Sequence, residues 1–185
     1  MKKVLLLLLL ALPMCMFGQA DNKAKQMTKF EEFSSATGKI VKFQDYKLPN
    51  MAESFMGSLE TGIRTIMGGT SNAYFYRIEE TETSRTVSHI AMIEYSDLVE
   101  INKALDKLCA SVETDIAANP DYLENKFRTV DGFEVGYYIN KAKASWFMKL
   151  ERYTSSTVFV KNQETLVDAF KNAQAKIEEL KSQNK

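Results

Sequence analysis

The chain has 185 residues, 24 of them basic and 24 acidic, with 45% hydrophobic residues and two cysteines. That length suits one domain, or two small halves sharing a core. The even charge offers no electrostatic pull on nucleic acid or an anionic membrane, and after Ala20 no apolar run approaches the roughly 20 residues of a membrane helix.

Residues 1–20 read as a secretory signal peptide: Lys2 and Lys3 precede the apolar run Val4–Leu12, and Gly18-Gln19-Ala20 supplies small residues for cleavage. The expected location is periplasmic or secreted. Cys15 raises lipid anchoring as an alternative, although Met14 stands where a lipoprotein signal carries a small residue. Cleavage would remove two cations and no acid, leaving a net charge of −2, and would leave Cys109 without an intramolecular partner. An exported domain without disulfides relies on its apolar core, and an unpaired thiol there is expected to be buried.

The mature domain, 21–185, opens with an N-terminal helix and strand over 21–48. Asp21–Ala36 carries Met27, Phe30 and Phe33 on one side, and Gly38 is a plausible stop. Gly38–Lys47 alternates as a strand through Ile40, Val41 and Phe43, with Pro49 expected to end it. Asn50–Gly57 reads equally as a loop packed on the core or a helical turn.

Three strand-like segments follow. Ser58–Met67 and Ala73–Glu79 flank a glycine-bearing bend, Glu80–Ser84 is a polar turn, and Arg85–Tyr95 has apolar residues on both faces, as a central strand would. Ser96 is a suitable cap for a long helix whose apolar stripe is Leu98, Ile101, Leu105, Leu108, Val112 and Ile116. Pro120 ends it.

Tyr122–Val130 and Phe133–Asn140 then flank Asp131-Gly132, a compact hairpin signal, and Lys143–Tyr153 is a long third strand. Val158, Phe159 and Val160 predict an extra strand within Thr154–Lys161. Asn162 caps a last helix striped by Leu166, Phe170, Ala173, Ile177 and Leu180.

The two halves match in order, over about residues 59–117 and 123–181. Glu60–Ile66 falls on Glu124–Val130, Gly69 on Gly132, and Ala73–Tyr76 on Gly136–Ile139. Ser88–Glu94 falls on Ser145–Glu151, and Leu98–Glu100 on Leu166–Asp168. The expected fold is therefore α+β: duplicated antiparallel βββ(β)α units related by a pseudo-twofold, with about eight strands and two long amphipathic helices packed on the sheet. Whether the strands form one sheet or two is not legible at this level.

His89 is the only histidine, and its match is Trp146, which favours a packing position over a base or metal ligand. Arg64 and Arg128 occupy matching places four residues after Glu60 and Glu124. On a strand such neighbours stand roughly 13 Å apart, so any Arg–Glu contact must cross strands. Two matched arginines are candidates to clamp an anionic ligand or a partner's carboxylates. Tyr74, Tyr76, Tyr137 and Tyr138 place aromatics at strand centres, where they could bind a carbohydrate or a protein surface.

There is no nucleophile elbow, phosphate-binding glycine loop, HExxH or CxxC, and no cofactor or metal is implied. The expectation is an exported, non-enzymatic binding or protein-interaction domain of unknown ligand, protein or small molecule. The alternatives are an enzyme with a site at the joint between the copies, and an assembly component whose edge strand pairs into a homo-oligomer.

Overall fold

The computed structural model describes residues 27–35, 37–38, 40–54, 57–68, 71–82, 88–152 and 157–183. The predicted signal peptide with Cys15, and Gly69, lie outside them, as do most of the first half of the predicted N-terminal helix and parts of both polar connections. Helix α1, Lys29–Ser34, opens with a capping box. The Glu31 N–H donates to Thr28 Oγ1 at 3.1 Å, and the Thr28 N–H donates to a Glu31 carboxylate oxygen at 2.7 Å. Gly38 follows at φ +75°.

Among the described residues, eight strands form two antiparallel four-stranded sheets. Sheet A contains β1 (Lys42–Ser54), β2 (Gly57–Gly68), β3 (Ser71–Glu82) and β4 (Ser88–Glu94), paired in chain order. Helix α2, Tyr95–Ala117, leads to sheet B, made of β5 (Leu123–Arg128), β6 (Glu134–Asn140), β7 (Lys143–Lys149) and β8 (Val158–Val160). Helix α3, Gln163–Gln183, closes the chain.

Four expectations need correction. Strand β1 runs through Pro49 instead of ending before it. As an edge strand it can do without one N–H, and the register slips between Leu48 and Met51 to accommodate the ring. The Pro49 carbonyl is then used by the Thr61 hydroxyl, which donates to it at 2.8 Å. Strand β3 continues to Glu82, because Glu80 still pairs in the ladder, opposite both Leu59 and His89.

Strand β4 is an edge, not a central strand. Its two apolar faces have different covers: Ala91 and Ile93 join the main core, whereas Met92 packs in a small cluster with Phe30 and Phe75. Lastly, α2 begins two residues early, capped by Glu94 instead of Ser96, and the Glu94 carboxylate accepts the Ser96 N–H at 2.7 Å.

Both helix stripes behave as their periodicity requires. Leu98, Ile101, Leu105, Leu108 and Val112 are buried along α2, and all five predicted stripe residues are buried along α3. Asn162 caps α3, its side-chain oxygen accepting the Glu164 N–H at 2.8 Å. Helix α3 packs against β1, β2 and β3, while α2 touches β3 and β4 as well as β5, β6 and β7. One main core therefore draws on both sheets and both helices.

Phe170 marks the shared core. It is fully buried, with its ring 5.2 Å from Tyr76 of sheet A and 5.9 Å from Phe133 beside sheet B. Asn102 adds a polar tie between helices, donating to the Phe170 carbonyl at 3.2 Å and to Gln174 Oε1 at 2.8 Å. Cys109 packs half-buried against this core, and burial raises its thiol pKa, which disfavours the reactive thiolate. No helix among the described residues is long and apolar enough to cross a membrane.

Candidate functional site

Strand alternation decides where the predicted binding residues point. Tyr76 and Tyr137 are fully buried and Tyr74 nearly so, all on the inner faces that meet the helices. They are core residues in this fold. Tyr137 also anchors the end of α2: its hydroxyl donates to Asp115 at 2.6 Å, and burial together with that carboxylate pushes its pKa up to about 12.

Tyr138, one position on, faces outward from sheet B. Its ring stacks on Tyr122 at 6.3 Å and lies near Phe147 at 6.5 Å and Phe159 at 6.2 Å. Tyr122 is 60% exposed and Phe159 38%, so this sheet covers its outward tyrosine with its own aromatics.

The two arginines also face outward, on separate sheets, and no contact joins them. Arg64 stands opposite Asp45 and grips it with both arms, Nε to Oδ1 at 2.7 Å and Nη2 to Oδ2 at 2.6 Å. That hydrogen bonding holds the Asp45 carboxyl below its ordinary value. Arg128 stands opposite Glu134, with Nε 3.4 Å from Oε1. Glu134 is buried and also meets Lys126 at 3.0 Å. Each arginine is thus committed to a carboxylate on the neighbouring strand, not to Glu60 or Glu124.

A cavity of 560 Å³ lies where α1, the edge of sheet A and one end of sheet B converge. Buried Ile93, Phe133 and Leu150 form its apolar base, and Phe30, Ile90 and Met92 extend the apolar wall. Around them stand Glu31, Asp97, Asp131 and Glu151, with Arg152 as the single cation in the lining. A cavity of this size, mainly apolar with a few converging polar groups, has the usual make-up of a small-molecule site.

Lys29 ties its walls together. The ammonium donates to Asp97 at 2.7 Å and to Ser96 Oγ at 3.2 Å, while the Lys29 backbone N–H donates to Asp131 Oδ2 at 3.0 Å. Burial disfavours the Lys29 charge, but the Asp97 hydrogen bond and the surrounding carboxylates outweigh it and raise the pKa. The Asp131 carboxyl, half-buried, is raised above its ordinary value by desolvation. The tight turn that presents it needs Gly132, at φ +94°, because a Cβ there would sit 2.6 Å from Arg152 Cα.

His89 does not line the cavity; its Nδ1 stands 3.5 Å from Oε2 of Glu151, which does. The other oxygen of Glu151 accepts the Ile90 N–H at 3.1 Å, blunting the open edge of β4. Among the described residues, no group of three or more His, Cys, Asp or Glu side chains is arranged to hold a metal ion. Comparison with protein-family models, curated proteins and solved structures finds no match.

None of the cavity residues was placed in a site by sequence reasoning: Phe30 read as a helix-face residue, Asp131 as a turn residue, Asp97 as a charge in the first turn of a helix, and Ile90, Met92, Ile93 and Leu150 as strand residues. They come from five separated stretches, and no spacing rule links Asp97 to Asp131 or Glu151.

Proposed function

We propose that the protein is an exported binding domain that holds a small, largely apolar ligand in the cavity between its two sheets. The observation that carries this reading is the 560 Å³ space itself, floored by core side chains and rimmed by carboxylates. Export is supported by the charged, apolar and small-residue order of residues 1–20. Catalysis draws less support: three of the four carboxylates at the cavity, Glu31, Asp97 and Glu151, are engaged in caps and ties, and His89 meets the site only through Glu151.

We also read the two sheets as copies of one unit, so that the cavity lies at their joint. This is supported by matched positions sharing a face: Arg64 and Arg128 outward, Phe75 and Tyr138 outward, Tyr74 and Tyr137 inward, His89 and Trp146 inward. The extra strand precedes the three-strand meander in sheet A and follows it in sheet B, and these two strands, β1 and β8, touch.

The test is saturable binding of a neutral, environment-sensitive fluorophore such as N-phenyl-1-naphthylamine. Ile90→Trp, which places an indole in the cavity from an edge strand, should abolish binding while leaving the far-UV spectrum intact. Phe159→Ala, on the far face of sheet B, should not change it. Absence of saturable binding, or binding indifferent to Ile90→Trp, would reject the reading.

A further inference from the structure

Taking the cavity as a ligand site, and so resting on the reading above, its charges specify what kind of ligand it suits. Four carboxylates line it against one guanidinium, with the Lys29 ammonium close by. Most of these groups are already satisfied. Asp97 holds Lys29, Glu151 holds the Ile90 N–H and faces His89, Glu31 accepts the Thr28 N–H, and Arg152 donates to the Val130 carbonyl.

Asp131 differs from the rest. It is half-buried, its Oδ2 accepts one backbone N–H, and among the described residues neither oxygen has an ion-pair partner within 4.0 Å. Two cations stand close enough to act on it, but Lys29 sends its ammonium to Asp97 and only its backbone N–H to Asp131, and Arg152 donates to the Val130 carbonyl. A carboxylate partly withdrawn from water, beside an apolar wall and without a paired cation, favours an incoming positive charge whose remaining surface is apolar.

From this we infer that the cavity selects a cationic amphiphile: a primary or secondary ammonium on a compact apolar body, the ammonium on Asp131 and the body against Ile93, Phe133 and Leu150. Anionic ligands of the same shape meet the carboxylate excess and are rejected, which supplies selectivity by repulsion as well as attraction.

The experiment compares three probes with one body, 2-naphthylmethylamine, 2-naphthylmethanol and 2-naphthoate, titrated into the full protein at neutral pH by calorimetry. The amine should bind about fivefold more tightly than the alcohol, the worth of one partly exposed ion pair, and the naphthoate most weakly. Asp131→Asn keeps an acceptor for the Lys29 N–H and should erase the amine's advantage without moving the alcohol's affinity. If alcohol and amine bind equally, the charge inference fails while the cavity reading stands. If none of the three binds, the cavity reading itself fails. If the amine's advantage survives Asp131→Asn and disappears in Glu151→Gln, Asp131 is not the recognising group and the inference as stated is overturned.

Discussion

Phe75 on β3 and Tyr138 on β6 both stand on the outward faces of their sheets, and what covers them differs. Phe75 is fully buried beneath α1, with Phe30 at 5.4 Å and Phe33 at 5.9 Å, both edge-on. Tyr138 remains half-buried under Tyr122, Phe147 and Phe159, which belong to sheet B and its flank. One face borrows a lid from a distant segment; the other makes its own. The difference matters because the borrowed lid also forms a wall of the cavity, through Phe30 and Glu31. Burial of an apolar strand face and construction of the candidate site are therefore the work of the same six-residue helix.

The largest expected effect tests what the two sheets share. Phe170→Ala should cost about 4 kcal/mol, since it empties a fully buried site touching both sheets. Trp146, the single tryptophan, reports on sheet B, and far-UV dichroism reports on the whole. Urea transitions followed by the two probes should stay coincident; separation would show that each sheet carries its own core.

Next comes the contrast in lids. Phe30→Ala should cost about 2 kcal/mol by uncovering Phe75, and should weaken fluorophore binding. Phe159→Ala, removing a partly exposed ring from sheet B, should cost about 1 kcal/mol and leave binding unchanged. Equal costs, measured by urea midpoints, would break the comparison.

The outward ion pairs should rank by burial. Glu134→Gln withdraws charge from a buried carboxylate facing Lys126 and Arg128 and should cost about 2 kcal/mol. Asp45→Asn removes a pair open to solvent and should cost less than about 1 kcal/mol, falling further in high salt.

The smallest effect is in acid. Desolvation raises the Asp131 carboxyl above its ordinary 3.8, so the folded protein holds that proton more tightly than the unfolded chain. Its contribution to stability is complete below 3.8 and is lost as pH rises through the raised value. Asp45, lowered by its Arg64 hydrogen bonds, behaves oppositely: its contribution is present above 3.8 and lost as pH falls through the depressed value. Asp131→Asn should therefore gain on the parent protein as pH rises from 3 to 7, and Asp45→Asn should lose ground. Urea midpoints across that range read both signs.

Much of the secondary structure was legible from local pattern. A helix stripe repeats within one segment, so Leu98 to Val112 and Leu166 to Leu180 announce their buried faces without knowledge of the partner. The Asp131-Gly132 turn and the Asn162 cap are likewise short-range chemistry. The tyrosines were less legible. With apolar residues on both faces of a strand, nothing local says which face meets the helices, and Tyr137 and Tyr138 exchange roles on a one-residue difference.

By itself, then, the sequence determined the segments, their order and the amphipathic helices, because hydrogen-bonding periodicity and turn chemistry act over a few residues. Only the tertiary structure decided that the strands split into two sheets, that β1 passes through Pro49 because it is an edge, and that Phe30 covers Phe75. It alone brought Asp97, Asp131 and Glu151 to one cavity. Those outcomes depend on which surfaces meet, and surfaces from residues up to about a hundred positions apart carry no shared local signal.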